Sequence, residues 1–193
     1  LIDLIKILIF PFVLFYSFGI SLRNKLFDGG IFKTEEVEAK VISIGNLTVG
    51  GSGKTPTVIY VTKLLKEEGI KTGILSRGYR RKTKGYLFVS DGRKMNADVE
   101  KTGDEIYLAA RECGVPAAVA EKRLEGAKRF LNDAPLEAIV LDDAYQHRWI
   151  HRDLNILMFD QRFLIKINKM EQRPLPSGQM REPFSSIKRA DII

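Results

Sequence analysis

Short apolar strands alternating with amphipathic helices, a glycine-rich turn after the first strand, and a later strand ending in two aspartates together predict an α/β fold. The architecture they imply is a P-loop NTPase-type αβα sandwich on a mostly parallel sheet, preceded by an N-terminal amphipathic helix at a membrane interface. The chain of 193 residues, 45% hydrophobic and 28% charged, is long enough for one sizeable core. Sixteen glycines and seven prolines exclude collagen and low-complexity disorder. The single cysteine, Cys113, excludes an internal disulfide framework and points to a reducing compartment. A formal charge of +7 suits anionic partners such as phosphates, nucleic acid or an acidic membrane face. The opening at Leu1 and the strand-like ending Ala190-Asp191-Ile192-Ile193 lead us to expect a fragment that lacks C-terminal sequence.

Residues 1–28 form the first element. Between Lys6 and Arg23 lie 16 uncharged residues, short of the roughly 20 that a spanning helix needs. At 100° per residue Asp3, Lys6, Ser17, Ser21, Asn24 and Asp28 fall in one narrow stripe, interrupted by Phe10, Val13 and Leu14, leaving a wide apolar face. Pro11 is expected to kink the helix, and Arg23 and Lys25 are placed to meet acidic headgroups. A membrane span and a helix packed on its own domain are the competing readings.

From residue 36 the pattern becomes α/β. Val41-Ile42-Ser43-Ile44 is a β-branched strand, followed by the turn Gly45 to Thr55 and a helix over 54–68 that stops at Gly69. Strand, glycine turn and helix in this order make a phosphate-binding loop, in which backbone N–H groups and the helix N-terminus converge on anionic oxygens. Lys54 would reach the β- and γ-phosphates and Thr55 would bind Mg²⁺. The strict spacing places a glycine where this chain has Thr48. Ala138-Ile139-Val140-Leu141-Asp142-Asp143 supplies the apolar strand with acidic residues at its carboxyl end, where Mg²⁺ is held directly or through water. Further strands are expected at 73–75, 86–90, 115–119 and 154–159, and helices at 104–113 and 123–132.

The second substrate is read from the loops. Lys71, Arg77, Arg80, Arg81, Lys82 and Lys84 form a run without an acid after the second strand, with Tyr79 as its aromatic. A solvated loop and a nucleic-acid surface are alternatives, but one aromatic is thin support for base stacking, and an anionic lipid headgroup suits the run better. Asp104 either caps a helix or accepts a proton from an attacking hydroxyl. His147 and His151 have zinc-helix spacing but lack a Glu after His147 and a third ligand. Asn168-Lys169-Met170-Glu171 ends in Glu where guanine-reading GTPases have Asp, and Val49 stands where membrane-positioning ATPases have a signature Lys.

Five motifs in order, Ile44 to Pro56, Leu75-Ser76-Arg77-Gly78-Tyr79, Gly103-Asp104-Glu105, Asp142-Asp143-x-x-Gln146-His147 and Leu175-Pro176-x-Gly178-x-x-Arg181-Glu182-Pro183, make the chain resemble the tetraacyldisaccharide 4'-kinases of lipid A biosynthesis. That family tolerates Thr or Ser at position 48. The resemblance implies a kinase at the cytoplasmic face of the inner membrane of Gram-negative bacteria, acting on the 4'-hydroxyl of a tetraacylated glucosamine disaccharide 1-phosphate. It needs no nucleic acid and no protein partner. Carried over residue by residue, Thr48, Val49, Gly50, Gly51, Ser52, Gly53, Lys54 and Thr55 bind ATP, and Thr55, Asp142 and Glu182 hold Mg²⁺. Asp104, Lys54 and Asp143 are catalytic, with Asp104 as the base, and Arg77, Tyr79, His147 and Arg181 contact the headgroup. Ala144 and Ser177 replace a usual Gly and a common Ala, and the family's C-terminal half is missing after the kinase lobe, 36–193. The alternative is a membrane-recruited P-loop ATPase switch acting on a protein partner.

Overall fold

The computed structural model describes residues 2–165 and 172–193, so Asn168-Lys169-Met170-Glu171 lies outside the described residues. Helix α1 (Ile2–Asp28) leads into β1 (Lys40–Asn46), α2 (Lys54–Glu67), β2 (Thr72–Ser76), β3 (Leu87–Asp91), α3 (Val99–Thr102), α4 (Asp104–Cys113) and β4 (Pro116–Val119). Helix α5 (Arg123–Asp133), β5 (Ala138–Asp142), β6 (Leu154–Met158), α6 (Gln161–Ile165) and a 3-10 helix (Phe184–Arg189) follow. The six strands described lie in the order β3-β4-β2-β5-β1-β6. All neighbours are parallel except β3, which runs antiparallel to β4 at the edge.

Alternation along the strands divides the core. Ile42 and Ile44 of β1 and Val140 of β5 face α2 and α4, where they meet Val58, Ile106 and Ala109. Val41, Ile139 and Leu141 point to the opposite face and pack under α5 against Ala127 and Phe130. Successive side chains of a strand take opposite faces, so helices must cover both. A third cluster, Leu47, Tyr145, Leu157, Phe163 and Met180, closes the carboxyl end beside β1.

The described side chains of α1 are divided between two faces. Phe27 is buried in edge contacts with Phe32 and Trp149, at centroid distances of 5.3 and 4.9 Å. Arg148 lies over the Phe27 ring and pairs with Asp28 at 2.7 Å. Arg23 turns inward and donates to the Gln146 carbonyl, so it is not free to meet headgroups as its position in the sequence suggests. Its guanidinium carbon lies over the Phe27 ring, 5.3 Å from the centroid. Phe12, Phe15 and Phe18 point outward and are 68%, 76% and 68% exposed. Among the described residues no helix is long and apolar enough to cross a membrane.

The ending Ala190-Asp191-Ile192-Ile193, expected as the start of a strand, does run beside β6, with backbone hydrogen bonds from Asp191 and Ile192 to Asn155 and from Leu157 to Ile192. Residues 184–189 before it form the 3-10 helix, and the bridge to β6 joins Ile156 and Ile192. Asp191 occupies the neighbouring register by accepting from the Asn155 N–H at 2.7 Å.

Candidate active site

The phosphate loop is built by close backbone approach. A Cβ on Gly45 would lie 2.7 Å from the Tyr145 Cβ and 2.8 Å from its nitrogen, so only glycine lets the end of β1 meet the loop after β5. Inside the turn the buried Asn46 amide donates to Ser52 Oγ at 2.8 Å. From outside, residues 179–181 strap the loop: Val49 N–H donates to the Gln179 carbonyl at 2.8 Å and Arg181 N–H to the Leu47 carbonyl at 2.7 Å. Gly53, at φ 78°, turns the chain into α2, whose first turn has no side-chain cap. Its free N–H groups are therefore available to an anion. Val49 to Thr55 line a cleft of about 1010 Å³. Thr48 is buried behind it, bridged to Met180.

Two aspartates with opposed electrostatics face this loop. Asp142, at the end of β5, is 4% exposed and accepts from Ser76 Oγ at 2.9 Å through Oδ2. Its Oδ1 is buried without a hydrogen-bond partner. Burial pushes the Asp142 pKa up, Asp143 adds to the rise, and Ser76, Arg123 and Lys54 oppose it. Burial also works to raise Asp143, but Arg181 and Lys54 outweigh it and hold that carboxyl below the usual range. Arg181 Nη1 stands 3.0 Å from both Asp143 oxygens, and Lys54 Nζ is 3.6 Å from one. Asp143 takes a left-handed φ of 48°, which aims its carboxylate at these cations. Ala144 is fully buried and is not among the described residues of positive φ, so the turn after Asp143 does not require glycine there.

Asp104 opens α4 at the surface, where its Oδ1 accepts from the N–H of Glu105 at 3.0 Å. Glu105 lines the cleft itself, and its pKa is raised by desolvation, Asp142 and Asp104 against the pull of Lys54. The α4 N-terminus is pressed onto the Tyr79 loop. A Cβ on Gly103, at φ 96°, would come within 2.8 Å of the Tyr79 carbonyl oxygen.

Across the cleft from the phosphate loop stand Arg77, Tyr79, His147 and Trp149, with Tyr16, Ile20 and Arg23 of α1. Burial lowers the His147 pKa to about 4, and Arg123, Arg77 and Arg23 reinforce the fall, so the imidazole is neutral. Gln146 joins the two sides: its Nε2 donates to the Asn46 carbonyl at 2.8 Å, and its own carbonyl accepts from Arg23.

Three expectations are corrected or refined. The basic run after β2 is not one uniform cationic loop. Arg81 is buried against Glu121 at 2.6 Å, Lys82 pairs with Glu100 at 2.7 Å, and Arg80 covers the Tyr79 ring. The acids come from α3 and the β4–α5 loop, too far along the chain to be seen beside the run. Arg181 lines the cleft but spends its guanidinium on Asp143. Glu182 is fully buried outside the residues lining the cleft, with Oε2 held by Arg189 and by Asn24 at 3.0 Å. Its Oε1 has no hydrogen-bond partner. Among the described residues no three His, Cys, Asp or Glu side chains could hold a metal together, which includes the His147 and His151 pair.

Sequence reasoning gave no role to Glu105 and Gln146, which line the cleft, to Arg123, which lines a neighbouring cavity, or to Asn24, which bonds to Glu182. Glu105 and Gln146 stood within quoted motifs without a role, Asn24 stood in the polar stripe of the first helix, and Arg123 gave no local signal.

A parallel sheet with a glycine loop at the carboxyl end of β1, an uncapped helix behind it and two facing aspartates defines a P-loop nucleotide-binding fold. The sequence profile of the family described as Tetraacyldisaccharide-1-P 4'-kinase, LpxK, matches residues 5–193, and the chain belongs to that family. It is 44% identical over 184 residues to a tetraacyldisaccharide 4'-kinase of Aquifex aeolicus, covering 95% of this chain and 56% of that one. It is also 44% identical over 191 residues to the enzyme of the same name from Chlorobaculum tepidum, covering 97% and 53%. The crystal structure of LpxK from Aquifex aeolicus in complex with ATP superposes with a TM-score of 0.87 at 42% identity, over 97% of this chain and 57% of that one. The chain thus spans a little over half the length of the relatives it matches.

Proposed function

We propose that this chain is the nucleotide-binding lobe of a kinase that transfers the γ-phosphoryl group of ATP to the 4'-hydroxyl of a tetraacylated glucosamine disaccharide 1-phosphate. The observation that carries the reading is a single cleft of about 1010 Å³ whose one wall is the phosphate loop and whose other is cationic and aromatic. Such a cleft lets a donor phosphate and an acceptor hydroxyl meet without crossing bulk water. Residues 48–55 receive the triphosphate on backbone N–H groups and Lys54. Lys54 then exchanges its 3.6 Å contact with Asp143 for phosphate oxygens.

The orphaned Oδ1 of Asp142, in the same cleft as Lys54 and Thr55, fits a Mg²⁺ ion that Asp142 and Thr55 would hold. When bound, that ion would supply charge neutralisation for the phosphates. Glu182 would join the ion only by presenting its unpartnered Oε1, since Oε2 is occupied. In the transfer, the acceptor oxygen bonds to the γ-phosphorus and the bond to the β-bridging oxygen breaks. The hydroxyl proton passes to Asp104, whose carboxylate is exposed beside the cleft. Arg77, Tyr79 and His147 face the acceptor, and Arg181 orients Asp143 while reaching the same space.

Residues 1–28 lie on the cytoplasmic leaflet of an inner membrane, with the outward row of Phe12, Phe15 and Phe18 inserted and the Arg23–Asn24 face on the kinase lobe, 36–193. Acceptor lipid then enters the cleft beside Tyr16 and Ile20. No protein or nucleic-acid partner is required.

The test is incubation of the full-length gene product, in detergent micelles, with Mg²⁺, γ-labelled ATP and the tetraacyl disaccharide 1-phosphate. Labelled bisphosphate lipid is expected. ATP hydrolysis at the same rate without the lipid, and no label in it, would replace the kinase with a nucleotide switch.

A further inference from the structure

One face of α1 closes over the segment that ties the phosphate loop to Asp143. Tyr16, Ile20, Arg23 and Asn24 follow the i, i+4, i+7, i+8 spacing of a single helix face. Tyr16, Ile20 and Arg23 line the cleft, while Asn24 reaches the buried Glu182. The Tyr16 hydroxyl donates to the Arg181 carbonyl at 2.8 Å. Burial and the neighbouring Glu182 carboxylate raise its pKa against the pull of Arg181, so the phenol keeps the proton it donates.

Arg181 is thereby tied at both ends. Its N–H donates to the Leu47 carbonyl of the phosphate loop at 2.7 Å, and its carbonyl accepts from Tyr16. Met180 before it is bridged to Thr48, and Glu182 after it is held by Asn24 and Arg189. A residue has only two soft backbone dihedrals, so fixing both flanking peptide groups fixes the direction in which its side chain leaves. The guanidinium then stands with Nη1 3.0 Å from both Asp143 oxygens, while Lys54 is 3.6 Å from one of them. The Arg181 and Asp143 side chains are 28% and 30% exposed, so packing alone does not fix this pair. An ion pair at that exposure keeps one geometry only where the backbone imposes it.

We propose that the Tyr16 hydroxyl is a positioning group for phosphoryl transfer, fixing the Arg181–Glu182 peptide and, through the Arg181 guanidinium, the carboxylate of Asp143. This rests on the kinase reading and adds to it a residue of α1. The turn that receives the phosphates does not depend on Tyr16. Val49 N–H still holds the Gln179 carbonyl at 2.8 Å, and Asn46 still holds Ser52 from inside. Loss of the hydroxyl therefore loosens the aim of Arg181 and leaves the ATP site formed.

The experiment uses the full-length gene product in neutral detergent micelles with Mg²⁺, γ-labelled ATP and the tetraacyl disaccharide 1-phosphate, and compares Tyr16→Phe, Arg181→Ala and the double variant. Phenylalanine keeps the ring, and α1 stays seated through Phe27 and the Arg148–Asp28 pair, so the fold is preserved. Tyr16→Phe lowers single-turnover transfer at saturating substrates by about three- to tenfold, the size of one neutral hydrogen bond. The KM for lipid, and the Kd for ATP titrated without acceptor, stay within about twofold. In the Arg181→Ala background the same substitution changes the rate by less than about 1.5-fold, because the group it positions is gone. A fall of equal size in both backgrounds overturns the positioning role, since the hydroxyl then acts through something other than Arg181. Unchanged turnover in Tyr16→Phe overturns it too. A raised KM for lipid with turnover intact gives the hydroxyl to the acceptor instead, and a raised Kd for ATP gives it to the phosphate loop. Transfer by none of the proteins, the unsubstituted enzyme included, overturns the kinase reading and the positioning role with it.

Discussion

The two walls of the cleft are built in different ways. The phosphate-loop wall takes its inner shape locally, since Asn46 reaches Ser52 six residues on and the glycines set the turn, while residues 179–181 strap it from outside. The wall proposed to face the acceptor is assembled at long range. Tyr16 donates to the Arg181 carbonyl across 165 residues, Asn24 to Glu182 across 158, and Arg23 to Gln146 across 123. The inner turn keeps its shape when its strand, its helix and the 179–181 strap are in place. The long-range wall holds only while α1 is docked, so acceptor geometry depends on the same helix that carries the bare aromatic row. One prediction of this contrast is that lesions in the acceptor wall leave ATP affinity untouched.

The largest expected effect tests the seam between the walls. Asp104→Asn should lower turnover by about 10²–10⁴-fold, the usual contribution of a positioned base. ATP affinity should not move, because Asp104 bonds only to its own helix N–H and lies outside the phosphate loop. Single-turnover transfer and ATP titration separate the two, and near-normal turnover would remove Asp104 from the reaction. Next comes Asn24→Ala. Glu182 is fully buried, and losing the 3.0 Å bond leaves its carboxylate to Arg189 alone. The cost should be about 1–3 kcal/mol of stability, with a raised KM for lipid and an unchanged Kd for ATP. A matching rise in the ATP Kd would show that the walls are not separable.

The same contrast explains what was legible in the sequence. Strand, turn and helix could be read at β1 and α2 because the phosphate loop is contiguous, and Asp142 because it ends an apolar run. Expected helices at 104–113 and 123–132 match α4 and α5 to within a residue, since 3.6-residue periodicity is also local. The partners of Arg23 and Arg81 were not legible, because each is satisfied by an element remote in the chain. Arg123 gave no signal at all. Its two carbonyl partners, Ala120 and Asp142, lie at the carboxyl ends of β4 and β5, which only the strand order brings together. The resemblance to a family supplied roles for side chains, but their geometry came from the fold.

A pH titration sharpens the comparison on the acceptor side. His147 is held at about 4 in the folded chain against an ordinary 6.5. Between those values the unfolded chain binds a proton that the folded one refuses. The stability this group contributes is therefore present above pH 6.5 and lost as the pH falls towards 4. At pH 5 the loss should be about 2 kcal/mol. The raised carboxyls Asp142 and Glu105 act with the opposite sign. They are common to both proteins, so the difference between the unsubstituted chain and His147→Asn isolates the imidazole. Urea midpoints at pH 7 and pH 5 are the measurement. An equal fall in both proteins would mean that His147 takes up its proton freely when folded.

The smallest effect concerns the turn that joins the walls. The resemblance leads one to expect glycine at position 144, yet Ala144 is fully buried in the core under α5 with no positive φ. The unusual backbone belongs to Asp143, one residue earlier, at φ 48°. Ala144→Gly should therefore supply no freedom that the native turn uses. It would enlarge the unfolded ensemble, remove a buried methyl group and lower stability by about 0.4–1 kcal/mol. Thermal unfolding checks the sign. A rise in midpoint would show that the Ala144 side chain strains the turn, and the left-handed Asp143 would then be the residue that absorbs the strain. A fall would mean that Asp143 holds its conformation through Arg181 and Lys54 alone, whichever residue follows it.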